Sequence, residues 1–428
     1  MKKSLIELAK SILIVLLMCS MLLMMVASLP AAQVRQMPWL SRLMQPLASV
    51  LGLPGEDLTY LETVLPVMDA ASPLAISVRN ETGRYTAMWD MELLDDAYEE
   101  LGGILGQALD TASGPVRMEM SRLTRVLSGV SVWFSYEGKL PAGLLAEWLD
   151  ASMKEEAETP IGAFVLAVEE DTAALYLVGE EVVRMDTEVN AQTLAFMLSE
   201  YYPDGSSFGF EVHEDLPDLH LLPGEGQTIS GVSRVRAVTQ RKLEQLATDL
   251  GFNPYGDTNY TDAAGDTYFT EQGSALRVSH SGMLTLTSTA SAKFTAADTQ
   301  SDTLAEEARR LVELAAGDTL GDARLYLTGL ERTAEETVLT FRHVVDGIPV
   351  ETAEGIGARV TFSGTAVTGM ELQLVTYVLR EQPQYVLPPV QAAAILPAGG
   401  ELRLIYRDTG NSVLAGWHMP EEQSRQTQ

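Results

Sequence analysis

The sequence predicts an α+β protein carried on one N-terminal membrane span, and three observations predict it. Ser11 to Leu29 is a run without a single charge and almost without polarity. Beyond it, stretches that alternate apolar and polar residues interleave with stretches in which apolar residues recur every three or four positions, the marks of half-buried strands and amphipathic helices. Hydrophobic residues make up 46% of 428 residues, enough to build real cores and to exclude wholesale disorder. The expected architecture is antiparallel sheets with helices packed on one face, in more than one domain at this length.

The apolar run reads SILIVLLMCSMLLMMVASL. As a helix its residues reach about 28 Å, close to the ~30 Å hydrocarbon core of a bilayer. Lys2, Lys3 and Lys10 precede it and the next charge is Arg35, so residues 1–10 are expected in the cytoplasm and the bulk outside. A cleaved signal peptide is the competing reading, because Ala31 and Ala32 are small and the leading residues are basic. The length of the run and the Pro30 to Gln33 context favour a retained anchor. Lipidation at Cys19 does not fit: a methionine precedes it and mostly apolar residues follow. Met18, Met21 and Met25 share one helical face, a candidate transmembrane partner face. No seam of small residues accompanies them, which favours lipid over a partner helix.

The formal charge is −30, and residues 1–10 contribute three lysines and one glutamate, leaving 26 basic and 58 acidic residues beyond them. Such a surface repels nucleic acid and anionic lipid headgroups. The acids are dispersed rather than blocked together, which points to solubility, with an acidic surface recruiting a basic partner as the alternative. Cys19, the only cysteine, falls in the apolar run, so the outer part is expected to hold by packing without disulfides.

Residues 30–57, punctuated by Pro38, Pro46 and Pro54, read as a juxtamembrane spacer. A first α+β domain is expected over 58–219. Leu74 to Val78 and Arg84 to Trp89 form a predicted hairpin across Asn80–Gly83. Leu94, Ala97, Leu101, Leu105 and Ala108 define one face of a helix that Ser113-Gly114-Pro115 should stop. Val130, Val132, Phe134 and Tyr136 alternate as a strand, and Pro141 opens a helix carrying Leu144, Leu145, Trp148 and Leu149. Phe164 to Val168, Ala174 to Val178 and Val182 to Met185 read as strands, followed by a helix through Leu194 and Leu198. The Pro- and Gly-rich stretch from Pro203 to Gln227 reads as the interdomain boundary, with the linker at 220–228.

Two further domains are expected, 229–297 and 298–420, built on one plan. The first opens with a helix through Leu243, Leu246, Ala247 and Leu250, then strands at Thr267 to Thr270, Ala275 to Ser279 and Met283 to Thr287. The second opens with a helix through Leu304, Ala308, Leu311 and Ala315, then strands at Arg324 to Leu330, Thr337 to Val344, Ala358 to Ser363 and Val367 to Leu374. A short helix at Pro389 to Ile395 and strands at Glu401 to Tyr406 and Val413 to Trp417 follow, and 421–428 should fray.

No catalytic constellation emerges. G-x-S-x-G, S-x-x-K and the nucleotide-binding glycine motifs are absent. His213, His220, His280, His343 and His418 have no metal-ligand spacing and are expected on the surface or in loops. Asp257 to Asp266 is acidic but lacks the ordered ligands of a calcium loop; a turn uses the same residues. Asp95-Asp96 and Glu99-Glu100 are expected on the solvent side of their helix. No cofactor, metal or enzyme activity is expected.

Three stretches carry a resemblance. LGFNPYGDTNYTDAAGDTYFTEQGSALRVSHSGMLTL, from Leu250 to Leu286, and GVSVWFSYEGKLPAGLLAEWL, from Gly129 to Leu149, resemble segments of the YycH family. TFRHVVDGIPV, from Thr340 to Val350, is similar to the D-G-x-P-V hairpin of the related YycI and PepSY-like domains. The region around Leu387-Pro388-Pro389 and Gly416-Trp417 has no counterpart in that resemblance. It implies a membrane-anchored extracellular regulator of the cell-wall-sensing histidine kinase of the WalK (YycG) type in Gram-positive bacteria. Such proteins act without catalysis, with a YycI-like sister protein as a further partner. The alternative is an extracellular binding module for a peptide, a wall fragment or a protease.

Overall fold

The computed structural model describes residues 72–418 apart from 213–215, 225–227, 236–238, 272, 289–292, 354 and 395–401. The predicted span 11–29, its methionine face, the spacer and the 421–428 tail lie outside the described residues. Among the described residues no helix is long and apolar enough to cross a membrane.

β1 (Ala75–Arg79) and β2 (Arg84–Met88) form the predicted hairpin, Val78 opposite Tyr85. Asn80 fixes its turn by accepting from the Thr82 and Gly83 amides. β2 stops at Trp89, whose φ of 57° breaks the extended run. Asp90 then caps α1 (Met91–Thr111), accepting from the amides of Glu92 and Leu93. All five residues predicted for the buried face of α1 are buried. Its stop falls where expected. The helix ends at Thr111, and Ser113-Gly114-Pro115 opens an exposed edge strand, β3 (Ser113–Met118). Gly114 (φ 64°) sits in a bulge there, so the breakers shape an edge rather than a loop.

α2 (Met120–Leu127) was not foreseen; it buries only Leu123 and Leu127. β4 (Ser131–Pro141) runs into α3 (Ala142–Trp148). β5 (Pro160–Val168), β6 (Thr172–Val178) and β7 (Val182–Asn190) form a meander closed by α4 (Ala191–Ser199). The resulting sheet has the order β3-β7-β6-β5-β4-β1-β2. Both of its faces are covered, which corrects the expectation of helices on one face only. α1, α3 and α4 contribute to the core on one side, while Trp133, Val165 and Tyr176 pack with α2 and Phe208 on the other.

The stretch expected to be a bare boundary holds β8 (Ser207–Phe208), α5 (Gly209–Val212) and β9 (Leu221–Leu222). Glu211 of α5 accepts from the buried Arg84 guanidinium, which stacks 4.5 Å over Phe208. This segment is therefore pinned to the first sheet.

β10 (Ile229–Val235) pairs with a strand almost 150 residues on. α6 (Gln240–Asp249) is followed by β11 (Tyr260–Thr261), β12 (Thr267–Glu271), β13 (Ser274–Val278) and β14 (Met283–Ser288). α7 (Ser301–Ala316) is followed by β15 (Ala323–Arg332), β16 (Thr337–Val345), β17 (Ile348–Thr352), β18 (Ala358–Ser363) and β19 (Ala366–Gln373). The two helix-plus-strand segments join in one antiparallel sheet, because β14 pairs with β19: β11-β12-β13-β14-β19-β18-β16-β15. One face carries the row Phe269, Leu276, Leu286, Met370, Val360, Leu339 in register, every member buried beneath the helices. Each such side chain contributes roughly 2 kcal/mol.

The D-G-x-P-V hairpin forms as expected. Asp346 (φ 52°) and Gly347 (φ 74°) supply the two left-handed residues that a two-residue turn needs. A Cβ on Gly347 would stand 3.1 Å from the Trp89 amide nitrogen. Asp346 also accepts from the Met91 amide and, at 2.5 Å, from Ser230.

β20 (Thr376–Gln384), mostly exposed and containing Pro383, pairs with β10. Neither strand was predicted. α8 (Pro389–Ala393), β21 (Arg403–Asp408) and β22 (Val413–His418) complete the chain, β21 pairing in parallel with β17. The two large sheets meet where β4 touches β15 at Lys139 and Gly329. Gly138 (φ 80°) permits this; a Cβ there would fall 1.9 Å from the Thr328 carbonyl oxygen. One apolar cluster contains Leu101, Leu276 and Leu311, so the three predicted segments share a continuous core.

Candidate functional site: an open sheet face

Strand alternation makes two faces. The face of the second sheet opposite its core is the candidate site. Hydrogen-bond register places one row across it as Tyr260, Tyr268, Arg277, Thr285, Glu371, Arg359, Thr340 and Gly329. A second row, two residues along each strand, runs Thr287, Gly369, Thr361, Val338 and Glu331. Strands ~4.8 Å apart make the five-strand part of this surface about 19 Å wide.

At one end the Tyr260 and Tyr268 rings stack, centroids 4.7 Å apart and 10° from parallel. Arg277 lies 5.9 Å over Tyr268 and donates to Asp266 at 2.5 Å. The His280 backbone N–H and then Arg277 hold the Asp266 carboxyl below the usual carboxylate range, and Asp266 raises the Arg277 guanidinium. Asp262 accepts from the Ala264 and Asp266 amides, the turn role that the acidic loop was expected to have. In the middle, Arg359 donates to Glu371 at 3.1 Å. The other end is acidic: Glu331 and Glu336 flank the β15–β16 hairpin and make no ion pair among the described residues.

Between these lies an open trough of about 520 Å³, floored by Thr361, Gly369 and Val338. The floor is low because its side chains are small. Gly369 and Gly329 both lie on this face with ordinary backbone conformations. A Cβ on Gly369 would meet nothing closer than 3.9 Å, and one on Gly329 would meet nothing within 4 Å. Their sequence signal was glycine inside a strand, which often marks a bulge or a close approach by another molecule. The alternation of Thr, Arg and Glu with the core residues was equally visible, but which face stays uncovered was not.

A second polar feature is a seam between the sheets. Glu137, 6% exposed, accepts from Arg342 at 2.7 Å and from Arg403. Burial lowers both guanidinium pKa values. Beside it Arg324 donates to both carboxylate oxygens of Asp95, which lies on the partly exposed side of α1 as expected. Glu100 accepts from the Tyr201 hydroxyl at 2.7 Å. These contacts tie elements together.

The histidines fall in different environments. His280 is exposed, and His418 is half-buried 3.6 Å from Glu351. His220 packs against Trp417, and burial pushes its imidazole down to about 4. His343 corrects the surface expectation outright. It is fully buried on the core face of β16, neither ring nitrogen has a hydrogen-bond partner of normal geometry, and burial lowers it to about 4. Among the described residues no three His, Cys, Asp or Glu side chains group as metal ligands. The predicted partner face, Met18, Met21 and Met25, lies outside the described residues.

No family model matches the chain, and no curated protein matches it. The crystal structure of YycH from Bacillus subtilis is similar over 84% of this chain and 96% of that chain, with a TM-score of 0.54 at 11% sequence identity. A likeness that spans both large sheets at so low an identity is a likeness of architecture, and the chain has a YycH-like fold.

Proposed function

We propose that this chain is a non-enzymatic, membrane-anchored, extracellular regulator of a cell-wall-sensing two-component histidine kinase of the WalK (YycG) type, working with a YycI-like sister protein. The observation that carries the reading is the YycH-like fold along most of the chain. The apolar run Ser11 to Leu29 supports it by offering a means of contact within the membrane. Regulation then needs no chemistry. A kinase equilibrium shifts by the difference in affinity of this protein for its two states, and a few kcal/mol is sufficient. Full-length protein should co-purify with a sensor kinase of that type. Replacing 11–29 by an unrelated span should abolish both co-purification and the signalling effect; normal signalling through the replaced span would refute the reading.

A second reading is favoured by the open sheet face: an extracellular binding module whose ligand occupies that face. Thermal stabilisation of the full chain by a peptide or wall fragment would support it, and no stabilisation by any of them would count against it.

A further inference from the structure

We propose that the open face takes a basic α-helix of a partner protein, laid obliquely across β19, β18, β16 and β15. The proposal rests on the second reading above, that this face is a binding surface, and specifies the class of partner. Three observations carry it.

The first is the glycines. In a strand a glycine is less favourable than alanine unless the backbone requires it. Neither Gly329 nor Gly369 has a left-handed conformation, and neither is approached closely enough to exclude a Cβ. At Gly369 the missing side chain provides depth on this face, while Gly329 adjoins the β15 bulge where β4 pairs. In the register they stand three strands and one residue pair apart, about 16 Å, or roughly three turns of helix.

The second is hydrogen bonding. β19, β18 and β16 are interior strands paired on both sides, so their backbone groups are already engaged. An extended peptide laid on this face could not pair its own amides there. A helix satisfies its backbone internally and meets the sheet through side chains alone, as α7 does on the opposite face.

The third is charge. Glu331, Glu336 and Glu371 face the trough with Arg359 as the only base among the residues lining it, on a chain of net charge −30. Glu371 is engaged by Arg359, which leaves the hairpin end negative. Lysine or arginine on the docking helix would complement Glu331 and Glu336, and small or aliphatic residues would settle over Gly369 and Val338.

The test uses the full-length protein in detergent micelles and three fluorescent 18-residue peptides read by anisotropy. One is helical with a lysine stripe on an alanine background, one has glutamate in place of lysine, and one has the lysine sequence broken by a central proline. The expected result is that the lysine helix binds and the other two bind at least tenfold more weakly. Gly369→Trp, which fills the trough at a position with room for a side chain, should weaken the lysine helix at least tenfold while the thermal midpoint stays within a few degrees. Glu331→Lys with Glu336→Lys, both at exposed positions, should do the same. Equal binding of the proline-broken or glutamate peptide would overturn the proposal. So would unchanged binding to folded Gly369→Trp, or no binding of the lysine helix at 1 mM, on the order of the weakest specific contacts. Wall fragments that stabilise the chain while no helix binds would overturn the helix and leave the binding-module reading standing.

Discussion

Acidification should weaken this protein through His343, and the size of the effect follows from where that ring sits. The side chain has no exposure, and both its nitrogens lack partners of normal geometry, with Tyr377 edge-on at 5.5 Å. Placing a charge there is unfavourable, so the folded protein holds the imidazole neutral and its pKa falls from 6.5 to about 4. In the unfolded chain the same ring titrates near its ordinary value. Between those two values the unfolded state carries a proton that the folded state refuses. Stability therefore rises with pH through this window, is complete above about 6.5, and is lost as pH falls towards 4. A separation of about 2.5 pH units corresponds to ~3 kcal/mol, a large fraction of the stability of an ordinary domain. The comparison to make is wild type against His343→Leu, an apolar side chain of similar size that cannot titrate. Urea midpoints followed by tryptophan fluorescence at half-unit steps from pH 4 to 7.5 would give the two profiles. His220 titrates in the same window but is retained in both proteins, so its contribution cancels in the difference. The expected outcome is a gap between the profiles that widens by about 3 kcal/mol on acidification. Parallel profiles would refute the claim that His343 is held neutral by burial.

Four further outcomes are expected. Glu137→Ala leaves Arg342 and Arg403 at the seam without their shared carboxylate and should cost about 3 kcal/mol in denaturant unfolding, more than Arg403→Ala alone. Gly138→Ala should be severely destabilising, since its Cβ would collide with the Thr328 carbonyl at a left-handed backbone position; Gly369→Ala should instead leave the urea midpoint unchanged or raise stability by about 0.5–1 kcal/mol. Asp90→Ala removes the cap of α1 and should cost ~1 kcal/mol, measurable as a small fall in thermal midpoint.

Periodicity revealed most of the strands and helices because it is a local record of burial. Leu94, Ala97, Leu101, Leu105 and Ala108 repeat at helical spacing because one side of α1 faces the core, and each of them is buried. The Asp346-Gly347 turn was equally legible, since few dipeptides accept two left-handed residues. α2, β10 and β20 escaped for the same reason in reverse. α2 is only eight residues long and buries two of them, and β20 is exposed along nearly all its length and carries a proline. β10 is defined by a partner strand far along the chain. His343 looked like any other histidine, because nothing in its neighbours' identities announces that a ring has been taken into the core.

By itself, the sequence determined the α+β class, the apolar run at the N-terminus, the acidic body and the alternation that assigns residues to sheet faces. Each of these depends on neighbours within a few positions or on composition. Tertiary structure alone decided that β14 and β19 meet, that the first sheet is covered on both sides while the second leaves one face open, and that Glu137 gathers two arginines from far along the chain. Those outcomes depend on which surfaces pack against which across long separations, and a period of two or of 3.6 residues carries no record of the partner.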